Sequence, residues 1–211
     1  IHKALENGDT SVLSDSEFDV AVICERQRQD LLNAWIGSIP PCNAQVFLEK
    51  RFAMFEDGSC TLLRDGDFFG VSSICTGQAD FVYAYDDGRT RRGFIADYKT
   101  GPGEVEDAAS NEQLRALAAM VSGALRLDSV RVAIIQPLAG APTVADYGQS
   151  QLFAAKEWTY RISERAIASN GSNPVAGDWC QYCPARQFDA TKEGEARRCV
   201  CPALREAATS A

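Results

Sequence analysis

GFIADYKTG, residues 93–101, is an apolar segment that ends in two charged side chains separated by one residue. Alternate residues of a β-strand point to the same face, so a strand here places Asp97 and Lys99 on one face of a sheet. The preceding segment TGQADFVYAY, residues 76–85, carries Asp80 among apolar neighbours. The Asp87-Gly88 pair between the two segments indicates a β-hairpin. Antiparallel pairing across this hairpin predicts that Asp80 lies alongside Asp97, with Lys99 on the same surface.

The rest of the chain supplies helices and further strands around this hairpin. The sequence predicts the end of a helix at Gly8, helices over 17–35, 110–125 and 148–169, and strands over 44–55, 60–63, 73–85, 92–100 and 130–136. This order predicts an α/β protein with a mixed central β-sheet flanked by helices. We expect one domain over residues 1–176 and a small Cys-rich C-terminal segment, 177–211, that packs on the same domain. Because the chain opens with Ile inside a helical pattern, we also expect further residues upstream.

Charge and hydropathy limit the classes of partner. The net charge of −8 argues against binding nucleic acid by bulk electrostatics, but it leaves room for an enzyme with a local basic groove. The sequence has no run of eighteen apolar residues and does not begin with a secretion signal. We therefore expect a soluble, cytoplasmic protein with no membrane partner.

Eight cysteines in a chain without a secretion signal indicate buried thiols or metal ligands rather than a disulfide framework. Four of them are scattered through the first half of the chain. The other four are bunched near the C-terminus, where WCQYCP contains a C-x-x-C pair, and they are Cys180, Cys183, Cys199 and Cys201. Four thiolates can form a tetrahedral Zn²⁺ site, and the alternative is that this segment binds nothing.

The two carboxylates and the lysine of the hairpin form a chemically coherent set. Acidic side chains bind Mg²⁺ or Mn²⁺ through hard oxygen ligands, and a nearby lysine can orient or help deprotonate an attacking water. A D-x-K triplet alone is weak evidence, because about one is expected by chance in a chain of this length. The simple alternative is a surface ion pair at the end of a strand.

Three motifs together resemble the RecB-like branch of the PD-(D/E)XK nuclease superfamily, which includes lambda exonuclease and the CRISPR-associated adaptation nucleases. They are G-x-x-D at 77–80, D-x-K-T-G at 97–101, and Gln113 at the start of the next helix. The resemblance runs from His2 to the C-terminal cysteines and is greatest to phage-encoded members. It implies a restriction-endonuclease-like core and Mg²⁺- or Mn²⁺-dependent hydrolysis of DNA, by an exonuclease rather than an endonuclease. The expected setting is recombination, repair or DNA processing in a bacterial or phage-infected cell, with a single-strand annealing protein or recombinase as a further candidate partner.

The resemblance also implies a set of site residues. IHKALE is similar to the helix that carries a metal-binding histidine in the family, and His2 is the one histidine of the sequence. His2, Asp80, Asp97 and the backbone carbonyl of Tyr98 would then hold the divalent ion, with Lys99 acting on water. Glu49, in VFLEKRF, either contacts a second metal or is an outward-facing strand carboxylate.

Gln113 has two interpretations. The family places a glutamine here in a Q-x-x-x-Y motif, although Leu117 stands at the tyrosine position of this sequence. S-N-E-Q from Ser110 also fits a capping box, in which the Gln113 side chain reaches back to the Ser110 backbone. A smaller departure is Ala79, where the family often has proline.

In related nucleases, three C-terminal cysteines and one upstream of the histidine helix hold a [4Fe–4S] cluster, so the cysteines here could bind iron–sulfur instead of zinc. Two other functions remain open. One is a catalytically silent nuclease fold that serves as a DNA or protein adaptor and is stabilised by the cysteine site. The other is a cysteine-based redox or zinc-ribbon interaction protein in which the acidic residues are incidental.

Overall fold

A mixed sheet forms the centre of the computed structural model, which describes residues 1–37, 43–64, 72–103 and 105–169. In these residues six strands follow the order β2-β1-β3-β4-β5-β6. β4 and β5 are parallel, and every other neighbouring pair is antiparallel. The strands are β1 Asn43–Met54, β2 Cys60–Leu62, β3 Cys75–Asp86, β4 Arg91–Tyr98, β5 Ser129–Ile135 and β6 Thr143–Tyr147. This confirms the predicted α/β class with a mixed central sheet, and it is compatible with a restriction-endonuclease-like core.

Helices flank the sheet, and local capping chemistry sets their ends. They are α1 His2–Asn7, α2 Asp15–Ile36, α3 Glu112–Leu125 and α4 Gln149–Ser169. α1 ends at Gly8, which has φ 69° and donates its N–H to the Ala4 carbonyl, as expected from the sequence. α2 begins two residues earlier than predicted, because Ser14 and Glu17 form a capping box.

Each face of the sheet has its own apolar core. On one face, α3 and α4 pack against strand residues such as Phe52, Val82 and Ile95. On the other face, α2 packs against Phe81 and Phe94. Further members of the first core are Met54, Val132, Ile134, Leu114, Leu117, Met120 and Leu152, and of the second Cys24, Leu32, Trp35, Ala96, Tyr98 and Ile135. Both faces of the sheet are therefore covered, as in other α/β proteins.

The hairpin between β3 and β4 follows the prediction. Asp86 pairs with Arg91, and the Asp87 N–H donates to the Thr90 carbonyl across the turn. Gly88 has φ 83°, a conformation that favours glycine. One strand was not predicted from the sequence, namely β6, a five-residue strand that pairs antiparallel with β5.

The described part of the chain leaves some predictions outside it. Residues Ile1–Ser163 form one compact unit, and a second unit begins at Glu164. The predicted boundary at 176/177 and the four C-terminal cysteines lie outside the described residues. Among the helices that are described, none combines the length and apolar character needed to cross a membrane.

Candidate metal and catalytic centre

The β3–β4 hairpin brings Asp80 and Asp97 to the same level of the sheet. Pairing runs from Asp86 with Arg91 to Phe81 with Ala96, and the next step in the same register sets Asp80 opposite Asp97. Asp80 Oδ2 accepts a hydrogen bond from the Tyr98 backbone N–H at 2.7 Å. Asp80 thus stands at the point where β3 and β4 stop pairing, with one oxygen fixed to the β4 backbone.

Helix α1 and strand β1 add two further groups beside Asp80. His2 Nδ1 lies 3.4 Å from Asp80 Oδ1 and 3.6 Å from Glu49 Oε1. The side chains of Asp80 and Glu49 are only 12% and 14% exposed, whereas that of His2 is 40% exposed. The hydrogen bond to Asp80 raises the pKa of His2, and the negative charges of Asp80, Glu49 and Asp97 add to this effect against the opposing cost of burial. These three side chains could hold a metal ion together.

Glu49 reaches this group through an unusual backbone conformation. It has φ 50° in the middle of β1, between the regular pairs of Leu48 with Phe81 and Lys50 with Ala79. Positive φ is uncommon for a residue other than glycine and costs about 1–3 kcal/mol, so the surrounding structure must hold it in place. The alternative of an outward-facing strand carboxylate is wrong, because the Glu49 carboxylate faces His2.

A chain of polar side chains supports Glu49 from the opposite direction. Gln78 Nε2 donates to Glu49 Oε2 at 2.6 Å, and Arg51 donates to Gln78 Oε1 at 2.9 Å. Burial raises the pKa of Glu49, while the hydrogen bond from Gln78 works in the opposite direction. Gln78 was not predicted as a site residue, although its place two residues before Asp80 on the same strand could have suggested it.

A second network joins Asp97, Lys99 and Gln113. Lys99 Nζ lies 2.8 Å from Asp97 Oδ2 and donates to Gln113 Oε1 at 3.1 Å, and Gln113 Nε2 donates to Asp97 Oδ1 at 3.1 Å. Asp97 is 3% exposed, and this burial raises its pKa, although Lys99 acts in the opposite direction. The predicted same-face placement of Asp97 and Lys99 is confirmed.

The capping-box interpretation of Gln113 is wrong. The N-cap of α3 is Asn111, whose side chain accepts from the Leu114 N–H, and the Ser110 hydroxyl donates to the Asp107 carbonyl. Asn111 supplies the cap, and the Gln113 amide instead forms hydrogen bonds with Asp97 and Lys99 at the end of the hairpin. Leu117 stands where the resemblance to RecB-like nucleases leads one to expect a tyrosine, and it is 1% exposed in the core.

The two networks are supplied by different elements, the first by α1, β1 and β3 and the second by β4 and α3. Ile95 packs in the core beside α3, and alternation places Asp97 and Lys99 on that side. His2 stacks edge-on against Tyr98, which belongs to the core beside α2. The charge of Asp80 raises the pKa of Asp97, so the networks interact electrostatically although Asp97 is not one of the three grouped residues. The two networks therefore lie close together at the end of the β3–β4 ladder.

The backbone direction at Tyr98 is compatible with the role expected for its carbonyl. Lys99 donates its N–H to the Ile135 carbonyl, so residues 97 and 99 direct their backbone toward β5. The Tyr98 N–H points the other way, to Asp80. Since the N–H and C=O of one strand residue lie on the same edge, the Tyr98 carbonyl faces β3 as well.

The donor set fits a small divalent cation. Glu49, Asp80 and the Tyr98 carbonyl offer hard oxygen atoms, which Mg²⁺ and Mn²⁺ prefer. Two ligands of one Mg²⁺ can be at most about 4.2 Å apart, and both distances from His2 Nδ1 are shorter than this. Glu49 and Asp80 lie beside the same imidazole ring, and like charges this close repel each other unless a cation is present. The residues are therefore compatible with the metal that the sequence predicts.

Fold and site define an α/β protein with an acidic, lysine-containing cluster at the end of a central hairpin. Residues 68–203 match a family model described as "Protein of unknown function (DUF2800)", and the chain belongs to this family. The match includes Asp80, Asp97, Lys99 and Gln113.

Comparison with curated proteins found no match. A solved structure titled "Crystal structure of SSO0001" is 12% identical with a TM-score of 0.35, and the alignment covers 88% of this chain and 78% of that chain. At this TM-score the likeness carries no argument about function.

Proposed function

We propose that the protein is a divalent-metal-dependent DNA nuclease, and an exonuclease rather than an endonuclease. The observation that carries this proposal is the meeting of Asp80, Asp97 and Lys99 at the end of one hairpin, with Gln113 bonded to both members of the D-x-K pair. The resemblance to RecB-like nucleases, stated on these same residues, supplies the reaction class.

Each residue has a separate task in this proposal. Asp80, Asp97, His2 and the Tyr98 carbonyl hold the cation, and Glu49 adds a further carboxylate oxygen. Bound Mg²⁺ or Mn²⁺ would stabilise negative charge on the phosphodiester and make water more acidic. Lys99 positions the attacking water opposite the leaving oxygen.

Gln113 acts through its neighbours. Its amide donates to Asp97 and accepts from Lys99, which orients the carboxylate and the ammonium group. An error of about 1 Å in such an arrangement can lower a rate roughly a hundredfold. Gln113 is thus a positioning residue in this scheme.

The competing proposal is a nuclease-like fold that serves as a DNA or protein adaptor. The burial of Asp97 argues against it, because a carboxylate that is 3% exposed is costly to maintain without a task. The arrangement of Lys99 and Gln113 around that carboxylate gives the same indication. An adaptor would need neither the acid nor the lysine.

The test is cleavage of end-labelled linear DNA and of circular DNA with Mg²⁺ or Mn²⁺. We expect the wild type to degrade linear DNA, and Asp97→Asn and Lys99→Ala to lose most turnover, since acid–base assistance contributes about a hundredfold or more. Asp146→Asn is the matched control, because this carboxylate is 61% exposed and pairs with Arg131 on β5.

The outcomes separate the proposals. Equal cleavage by wild type, Asp97→Asn and Lys99→Ala would indicate a contaminating nuclease. An inactive wild type that still binds metal would favour the adaptor. Cleavage of circular DNA at the same rate as linear DNA would replace exonuclease with endonuclease.

A further inference from the structure

A groove of about 830 Å³ opens directly beside the candidate centre. It runs between α1, α2, the part of β1 that precedes Glu49 and the part of β3 that follows Asp80. Two of its lining residues, Leu48 and Phe81, are the chain neighbours of Glu49 and Asp80. Its volume is in the usual range for small-molecule sites, about 300–1,000 Å³. A substrate held at the acidic group would therefore extend into this groove.

The floor of the groove is apolar and aromatic. Val46 lies opposite Tyr83 and Leu48 opposite Phe81 in the β1–β3 register, so two successive cross-strand pairs face the same side. Val46 is 55% exposed, and Tyr83 is partly exposed. A partly exposed tyrosine on an apolar surface is the kind of platform on which nucleobases stack.

The wall opposite this floor carries amide side chains. Asn7, Gln29 and Asn33 all line the groove, and Gln29 Nε2 donates to Asn33 Oδ1 at 2.8 Å. This bond leaves Gln29 Oε1 as an acceptor and Asn33 Nδ2 as a donor for a ligand. The polar edge of a base carries both donors and acceptors, so amide side chains on this wall can hydrogen-bond to it.

The charges of the groove disfavour a phosphate inside it. Glu6 and Glu25 line it, and Arg28 is the one cation among the lining residues. The Arg28 guanidinium donates to Glu25 and to the Tyr98 hydroxyl, and it lies 4.6 Å above the Phe81 ring. It therefore completes the wall rather than offering a free positive charge. A flat, neutral ring with a polar edge suits this environment better than a phosphodiester backbone.

We infer that this groove binds unpaired nucleobases of the strand whose phosphodiester lies at the His2–Glu49–Asp80 group. The inference rests on the proposed function and adds to it a substrate class, namely single-stranded or frayed DNA ends. Base-paired DNA cannot fill the groove, because its bases are stacked and already hydrogen-bonded to each other.

The experiment measures binding without cleavage. A fluorescein-labelled ten-residue oligothymidylate is titrated with the full chain in Ca²⁺ buffer, and a gel confirms that the oligonucleotide stays intact. Fluorescence anisotropy compares it with a ten-base-pair duplex and with an oligonucleotide of equal length whose sugars carry no bases. We expect the wild type to bind the oligothymidylate at least about tenfold more tightly than the abasic strand.

Variants locate the site. Tyr83→Ala should weaken binding of the oligothymidylate about tenfold and leave the abasic strand unaffected, because one stacking platform contributes about that factor. Tyr83→Phe retains the ring and should bind like the wild type. Phe153→Ala, at a 68% exposed aromatic on α4 outside the groove, is the control and should also bind normally.

Three results would overturn the inference: no binding by wild type, equal affinity for the abasic strand, or unchanged binding by a folded Tyr83→Ala variant. Failure of the proposed function is separable from these outcomes. A protein that binds the strand through Tyr83 but never cleaves DNA would retain the groove and lose the nuclease. A protein that cleaves DNA, but in which Tyr83→Ala does not change binding of the strand, would retain the nuclease and lose the groove.

Discussion

Replacing Gln113 with alanine separates a positioning role from a structural one. The substitution removes two hydrogen bonds of 3.1 Å, one to Asp97 and one from Lys99. Hydrogen bonds to charged groups contribute about 1.5–3 kcal/mol when they are buried. Gln113 is exposed and water can replace its amide, so we expect the free energy of unfolding to fall by only about 1 kcal/mol.

Activity should respond much more strongly. Without Gln113, Asp97 and Lys99 keep their direct 2.8 Å contact but lose the amide that orients both groups, and we expect kcat per folded molecule to fall about ten- to a hundredfold. Mn²⁺-dependent release of label from linear DNA gives the rate. Urea unfolding gives the folded fraction by which that rate is divided.

Asn111→Ala provides the matched control on the same helix turn. It removes the cap bond from the Leu114 N–H, at 2.9 Å, and should cost about 1 kcal/mol of stability with no effect on kcat. If Gln113→Ala and Asn111→Ala lose similar stability and both retain full activity per folded molecule, the positioning role is refuted.

Four further predictions concern charge and metal. Burial raises the pKa of Asp97, so its ionised form opposes folding above that pKa, and Asp97→Asn should unfold at the same or a higher urea concentration than wild type without divalent metal. Mg²⁺ at a hundred times its Kd should raise the free energy of unfolding of the wild type by about 2.7 kcal/mol and that of Asp97→Asn by much less. Equal gains in the two proteins, measured by calorimetry and urea unfolding, would show that Asp97 is not a metal ligand. The pKa of His2 is raised above 6.5, so its stabilising interaction is complete below pH 6.5 and is lost as pH rises through the folded-state pKa. His2→Gln should therefore flatten this part of the plot of metal-free stability against pH. An unchanged slope would contradict the pairing of His2 with Asp80. Finally, anaerobically purified protein should contain iron or zinc bound by Cys180, Cys183, Cys199 and Cys201, and elemental analysis that finds neither would remove the cysteine site.

The sequence predicted the hairpin well because two apolar segments flank a strong turn signal there. Residues 93–101 and 76–85 are both rich in apolar and aromatic residues, and Asp87-Gly88 indicates the turn between them. Strand β6 was missed because TVADY is short and follows a segment rich in Gly and Pro. The start of α3 was ambiguous because Ser110 and Asn111 are both good N-caps, and sequence alone does not choose between them.

The ligand group was less predictable, because it depends on a break in alternation. Phe47 packs with the core beside α3 and Leu48 with the core beside α2, yet Phe52 and Met54 return to the first core. The phase of β1 therefore changes near Glu49, where φ is positive. No local propensity predicts this conformation for glutamate, and so the sequence left two orientations of Glu49 open.

Several features that oppose folding lie together at the end of the β3–β4 hairpin, which indicates that a function depends on them. Glu49 is held at φ 50°, Asp97 is buried with a raised pKa, and both lie close to the Asp80 carboxylate. Backbone strain and crowded like charges each oppose folding, and proteins retain them mainly where a function depends on them. A cation bound by this group would offset the repulsion that the fold otherwise tolerates. If the residues served stability alone, an apolar hairpin end would hold β1, β3 and β4 together at lower cost.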